Sequence, residues 1–212
     1  MRLQRVILFS LWLIFTAAAV TADRPAQVSS EANSPRAILD AFHETLLTAA
    51  QASPAGDETA YQARFRIIHP AVTAAFELQA MSRLVLGRHW RNLEAEQQAE
   101  FVHLFGELTA ANYASRFKKA GHEFAFIDES RRGSRFAIVR YRFDPVGDDK
   151  QRQFEYQLMQ TSNDWQIINV SVDGVSDLSV KRTQYQDVIE EKSFQALLDQ
   201  LRDKLREIAE SA

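Results

Sequence analysis

Few residues of this chain have the types and spacing that chemistry requires. The five histidines show neither the His-x-His nor the His-Glu-x-x-His spacing that places imidazoles on one metal ion. The chain has no cysteine, which excludes a thiolate metal site, a cysteine nucleophile and a disulfide framework. Its seven glycines form neither a Gly-x-Ser-x-Gly turn nor a phosphate-binding loop. These patterns predict no catalytic set, no metal site and no cofactor, and leave structural or surface roles for His43, His69, His89, His103 and His122.

Two tyrosines and two acidic pairs complete the set of candidate reactive groups. Tyr141 and Tyr156 fall on the apolar positions of alternating segments, where a cavity-floor acid or base would stand. No acid or histidine shares those inward positions, so a partner for proton transfer is missing. The adjacent acids at 148–149 and 190–191 are interpreted as solvated charge in a turn and on a helix. An acid–base enzyme is therefore the weaker hypothesis.

The N-terminal segment has the parts of an export signal. Arg2 and Arg5 give a positive start, residues 6–20 are apolar, and small residues precede Asp23. We therefore predict a signal peptide at 1–22 and a periplasmic protein. The apolar run of about 15 residues is shorter than the roughly 20 that a spanning helix needs, and an uncleaved inner-membrane anchor stays open as the alternative.

The rest of the chain is predicted to form one domain. Residues 23–33 are polar and predict a disordered leader, and residues 34–210 are long enough to bury a core. The formal net charge of −3 argues against nucleic-acid binding, which depends on the neutralisation of many phosphates.

Apolar residues at helical spacing predict helices at both ends of this domain. Ser34 and Pro35 supply an N-cap and a first helical residue, and Gly87 and Gly121 end two later helices. The predicted helices run from Pro35 to a break at 53–57, over 58–68, over 71–86 after a bend at His69-Pro70, over 94–119, over 175–191 and over 194–209.

The apolar period changes to two between residues 124 and 172, which predicts four strands. Inward positions are occupied by Phe124, Phe126, Ala137, Val139, Tyr141, Phe143, Phe154, Tyr156, Leu158, Ile168, Val170 and Val172. Arg140, Arg142, Glu155 and Gln157 occupy the alternate positions, so the opposite face should be solvated. The predicted fold is α+β: a four-stranded antiparallel meander covered on one face by helices. With 14 Phe, 3 Trp and 5 Tyr, close packing is demanding, which favours an internal apolar pocket.

Several ordered sequence blocks resemble those of the MlaC-like family of periplasmic lipid carriers, also called toluene-tolerance auxiliary proteins. The resemblance covers about residues 34–205. The blocks are FELQAMSRLVLGRHW at 76–90, the segment 97–105, YASRF at 113–117, WQIINVSVDGVS at 165–176, and Arg182 with Tyr185.

The resemblance implies an NTF2-like sheet wrapped by helices, with lipid acyl tails in an internal pocket. It also implies a carrier without enzymatic activity, which passes phospholipid between an outer-membrane lipoprotein complex and an inner-membrane ABC transporter complex. Asn169 replaces a usual acidic residue of the phospholipid carriers, and the stretch 76–78 lacks their fuller Asp-containing sequence. The sequences FELQAMSRL at 76–84 and YASRF at 113–117 are more similar to the hopanoid-associated HpnM-like branch, so phospholipid and hopanoid are equal candidates for the cargo.

The predicted pocket wall consists of inward strand residues and apolar helix residues. It comprises Leu84, Val85, Phe101, Phe105, Leu108, Tyr141, Phe143, Tyr156, Leu158, Ile168 and Val170. Two other functional hypotheses stay open. One is an adaptor that docks a partner through its C-terminal amphipathic helices, and the other is an isomerase-type enzyme, since NTF2-like sheets also carry such active sites.

Overall fold

The computed structural model describes residues 33–52, 54, 59–147, 150–162 and 164–212. The predicted signal peptide at 1–22 lies outside the described residues. So do residues 23–32 of the predicted leader and most of the predicted break at 53–57.

The first two helices begin at side-chain caps. Helix α1, Pro35–Ala49, starts where Ser34 Oγ accepts a hydrogen bond from the Ala37 N–H at 3.1 Å. Helix α2, Ala60–Ala75, starts with a capping box in which Thr59 and Gln62 satisfy each other's backbone N–H. The predicted start of α1 at Pro35 is thus confirmed.

The predicted helix boundary at His69-Pro70 is wrong, because α2 continues through Pro70. Proline removes one helical hydrogen bond, and the remaining bonds and the packing of α2 on its neighbours outweigh that loss. The break falls instead at Phe76, which bridges to Ile167, and at Glu77, whose N–H donates to the Ile167 carbonyl at 2.9 Å. Pairing with the sheet therefore decides where the helix ends.

Two further helices follow the break. Helix α3, Leu78–Leu86, ends at Gly87, where φ is +55° and an added Cβ would lie 2.8 Å from Gln186 Nε2. A short 3₁₀ helix, Gly87–Asn92, leads into α4, Ala95–Arg116. Helix α4 ends three residues before the predicted Lys119.

The sheet is an antiparallel meander in sequential order, which confirms the predicted fold class. It contains five strands rather than four: β1 Glu123–Arg132, β2 Phe136–Asp144, β3 Arg152–Gln160, β4 Trp165–Val172 and β5 Val175–Ser176. The two-residue β5 occupies what was predicted as helix. Helix α5, Asp177–Glu191, begins after it with Ser176 as N-cap, and α6, Phe194–Ser211, closes the chain.

Strand β4 contains a bulge that the regular alternation does not predict. Leu158 pairs with Ile167, and the next pair joins Gln157 to Asn169, so Ile168 has no opposite residue. Ile167 is fully buried and Ile168 is half-buried. The predicted inward position of Ile168 is therefore wrong, whereas Val170 keeps its inward position.

The two faces of the sheet differ as predicted. The inner face packs on the helices, and its fully buried side chains include Val139, Tyr156 and Leu158. On the outer face Arg140 donates to Glu155 at 2.8 Å and to Asp128 at 2.9 Å, a ladder of ion pairs across three strands. Within the described part of the chain, every helix is too short or too polar to cross a bilayer.

Candidate functional site

A cavity of about 280 Å³ lies between the inner face of β3 and β4 and helices α3, α4 and α5. Its apolar wall consists of Phe76, Met81, Phe117, Phe154, Val170 and Val172, and its edge carries Val175 and Val180. Its polar lining consists of Thr109, Asn112, Tyr113, Arg116, Asp177 and Lys181. The volume is near the lower end of ligand pockets, about 300 Å³, and a mostly apolar wall suits an apolar ligand.

The secondary structure explains why these side chains meet. Phe154, Val170 and Val172 are cross-strand neighbours on the inner face, since Phe154 pairs with Val172 and the β4 bulge keeps Val170 inward. The α2–α3 break brings Phe76 beside β4, and α3 adds Met81 one turn later. The cavity is therefore bounded by the same break that the sequence pattern misplaced.

Two polar side chains of α4 are turned onto their own helix. Thr109 Oγ1 donates to the Phe105 carbonyl at 2.8 Å, and Asn112 Nδ2 donates to the Leu108 carbonyl at 2.7 Å. Their donors are thus satisfied locally. Of the other polar groups of the lining, Tyr113 is an uncharged phenol and Arg116, Asp177 and Lys181 are charged.

The edge carries two cations and one carboxylate. Lys181 Nζ lies 2.5 Å from both Asp177 carboxylate oxygens, one turn apart on α5, and its side chain is only 16% exposed. Arg116, in the last turn of α4, is exposed and has no ion-pair partner among the described residues. One positive charge therefore stays unbalanced at the edge, where an anionic group of a bound ligand would lie.

A second apolar space, here called the groove, lies among α4, α5 and α6 and has a volume of about 570 Å³. Its apolar lining consists of Leu108, Val180, Tyr185, Val188, Leu197 and Leu201. Its polar lining consists of Asn112, Asp177, Lys181, Gln184, Gln200 and Lys204. Four residues line both the groove and the cavity, so the two spaces adjoin at the first turn of α5.

Another part of the inner face is filled by rings, and we call His43, Phe124, Tyr141 and Tyr156 the ring-packed region. The His43 and Phe124 rings stack with centroids 3.8 Å apart and an interplanar angle of 3°. His43 Nε2 shares a hydrogen bond of 2.9 Å with the Tyr156 hydroxyl, and Nδ1 has no partner among the described residues. Burial lowers the pKa of His43 to about 3, so the imidazole is neutral at physiological pH.

Helix α1 supplies the acid and the histidine that the strand pattern lacks: His43 is part of the ring-packed region and Asp40 lies beside it. Tyr141 donates its hydroxyl hydrogen to Asp40 Oδ1 at 2.5 Å, and burial followed by this bond raises the pKa of Tyr141. Asp40 and His43 both come from α1, three residues apart and therefore on one face. The three-residue spacing of Asp40 and His43 was the sequence signal that could have indicated that these two side chains lie together. None of these side chains lines the cavity or the groove.

The predicted wall residues are distributed over three environments. Val170 lines the cavity and Leu108 lines the groove. Leu84 is 45% exposed on α3 and lies in neither. The others, buried or half-buried in the core but outside both linings, are Val85, Phe101, Phe105, Tyr141, Phe143, Tyr156, Leu158 and Ile168. Their contact with a ligand stays a prediction.

Most of the cavity wall was not among the predicted site residues. Phe154 and Val172 carry the same alternation as Val170, so the strand period was enough to find them. Phe76 and Met81 required the position of the α2–α3 break, which the sequence pattern does not give. Within the described ranges, no three His, Asp or Glu side chains are close enough together to hold a metal ion.

Comparison with known proteins identifies the family. A search of curated proteins gave no significant match. Among solved structures, the phospholipid-binding protein of Ralstonia solanacearum, solved in complex with a phospholipid, has a similar fold, with a TM-score of 0.69 at 15% sequence identity. The similarity covers 82% of this chain and 97% of the Ralstonia chain. The family model described as MlaC protein matches residues 40–203, and the chain therefore belongs to the MlaC family.

Proposed function

We propose that this protein is a periplasmic carrier that binds a phospholipid and shuttles it between the inner and outer membranes without chemical change. The observation that carries the proposal is the apolar cavity with an unbalanced positive charge at its edge, in a chain of the MlaC family. An apolar wall suits acyl chains, and Arg116 and Lys181 suit a phosphate. The Ralstonia protein of similar fold was solved with a phospholipid, which supports the same class of ligand.

The energetics of carriage require no catalysis. Burial of each methylene contributes about 0.8 kcal/mol, so two long chains leaving water gain on the order of 25 kcal/mol. A membrane offers almost the same gain. A carrier therefore needs only to match the membrane closely, and contacts with a donor or acceptor complex then shift the lipid in one direction.

Phospholipid is the better supported cargo of the two candidates. Asn169, which stands where phospholipid carriers usually have an acidic residue, accepts a hydrogen bond of 2.9 Å from Ser176 Oγ and lies outside the linings of the cavity and groove. It fixes the β4–β5 corner, so its identity says little about the cargo. The edge cations Arg116 and Lys181 favour an anionic headgroup over an uncharged polycyclic lipid.

The proposed partners follow from the family resemblance. They are an inner-membrane ABC transporter complex and an outer-membrane lipoprotein complex, reached by a protein exported through its predicted signal at 1–22. An adaptor that docks through α5 and α6 without lipid is the competing hypothesis.

The test is native mass spectrometry of the mature protein, purified from periplasm without detergent, with solvent extraction of the bound lipid. We expect a co-purified phospholipid. A matched pair of variants locates it: Val172→Phe places a ring in the cavity, and Gln153→Phe places the same ring on the exposed outer face of β3. Retention should fall several-fold in Val172→Phe and stay unchanged in Gln153→Phe.

The other outcomes are equally informative. A hopanoid in the extract would replace the phospholipid as cargo. A protein that is empty and takes up no labelled lipid from vesicles would overturn the carrier proposal and favour the adaptor.

A further inference from the structure

The groove among α4, α5 and α6 is apolar enough and large enough to hold an acyl chain. Its volume of about 570 Å³ lies within the range of about 300–1,000 Å³ typical of ligand sites. Leu108, Val188, Leu197 and Leu201 come from three helices and face one another across it. The family match and the cavity beside the sheet do not account for this second space.

The groove and the cavity adjoin along one partition. Asn112 of α4 and Asp177, Val180 and Lys181 of α5 line both spaces. Val180 is a large apolar side chain that is 43% exposed at this partition. A ligand with two chains joined at one point could therefore straddle the first turn of α5 and place one chain on each side.

Electrostatic contacts place Asp177 at the border between the two spaces. Burial first, and then the Asp177 carboxylate, raises the pKa of Tyr113, which lines the cavity, and of Tyr185, which lines the groove. One carboxylate thus acts on both compartments. Its partner Lys181 has a side chain that is only 16% exposed, so an anion at the partition would meet an ion pair and not a free ammonium group.

We propose that the groove is a second acyl-chain site, so that one phospholipid places a chain in the cavity and the other in the groove. The phosphate then lies at the partition, beside the Lys181–Asp177 ion pair and on the side of Arg116, which has no ion-pair partner in the described part of the chain. This inference rests on the proposed function and deepens it. It specifies a two-chain glycerophospholipid, because a single rigid polycyclic body fills only one compartment.

The test compares a diacyl phosphatidylglycerol with its single-chain lyso form, each bound to delipidated protein and quantified by native mass spectrometry. Val188→Trp fills the groove, and Thr183→Trp places the same ring on the exposed side of α5. We expect Val188→Trp to lose at least about tenfold in diacyl binding, equivalent to about 1.4 kcal/mol, and to keep lyso binding. Thr183→Trp should bind both lipids as the unchanged protein does.

Unchanged diacyl binding by a folded Val188→Trp protein would overturn the second chain site and leave the carrier function intact. Failure of the unchanged protein to bind either lipid would instead overturn the carrier function itself. If Val188→Trp does not fold, the unchanged protein is photocrosslinked to a diacyl phosphatidylglycerol that carries a photoreactive group in each chain, and the crosslinked residues are identified. Crosslinks at Leu197 or Leu201, as well as at Val170 or Val172, are expected. Crosslinks confined to Val170 and Val172 would refute the inference.

Discussion

Val139 and Val170 are cross-strand neighbours of the same residue, Tyr156, yet they border different environments. Val139 of β2 is completely buried, and the side chains around it fill the space. Val170 of β4 is 8% exposed and borders the cavity. The two valines share residue type, strand periodicity and partner, so the difference must come from the helices that cover them.

The covering helices differ in what they bring to the sheet. Helix α1 brings His43 onto Phe124 and Tyr156, which fills the ring-packed region with stacked and hydrogen-bonded rings. At the other side of Tyr156, α5 begins only after β5 and lines the cavity with Asp177, Val180 and Lys181. One sheet face therefore combines a half that is filled by packed rings with a half that borders an open cavity.

The largest expected effect is acid destabilisation of the ring-packed region. The pKa of His43 is about 3 in the folded protein and about 6.5 when unfolded, so the unfolded state binds the proton more readily between these values. The stability that neutral His43 contributes is present above pH 6.5 and is lost as the pH falls toward 3. Between pH 6.5 and 4.5 this one group should cost roughly 2–3 kcal/mol in free energy of unfolding.

Urea denaturation across this pH range measures the effect, and His43→Gln removes it while keeping a partner for Tyr156. His103→Gln changes an exposed histidine and is the control. The pH dependence should flatten in His43→Gln alone. Equal slopes in His43→Gln and the unchanged protein would show that His43 is not the titrating group.

A smaller effect distinguishes the two valines directly. Val139→Ala leaves a void among packed atoms and should cost about 2 kcal/mol in free energy of unfolding. Val170→Ala should cost less than about 1 kcal/mol, because the atoms removed already face empty space and lose fewer contacts. Chemical denaturation of lipid-free protein measures both. Equal costs would mean that the cavity closes in solution when no lipid is bound.

The sequence predicts the elements well because their signals are local. Ser34 and Pro35 mark the start of α1, and the period of two marks the strands. Three features of the structure are not predicted by these local signals. Pro70 is tolerated inside α2, the chain breaks where Glu77 binds the Ile167 carbonyl, and Ile168 forms a bulge. Each is decided by contact with a distant segment, which residue spacing does not encode.

The candidate site is less predictable than the fold for the same reason. An excess of rings indicates that an inner face exists, but not which part of it is filled. Tyr141 and Tyr156 are predicted as pocket wall, and in the structure α1 places Asp40 against Tyr141 and His43 against Tyr156, outside the cavity and the groove. Phe76 and Met81 reach the cavity through the α2–α3 break. The position of the helices therefore decides which of these side chains line the cavity and which do not.

The smallest expected effect concerns Arg140, which follows Val139 in β2 and points to the outer face. Its bonds to Glu155 and Asp128 are solvent-accessible, and such exposed ion pairs contribute about 0–1 kcal/mol. Arg140→Gln should therefore lower the free energy of unfolding by less than about 1 kcal/mol, and added salt should shrink even that difference. Denaturation at low and high salt measures it. A cost as large as that of Val139→Ala would mean that the outer ladder helps hold the strands in register, and the contrast between the two valines could then not be assigned to the inner face alone.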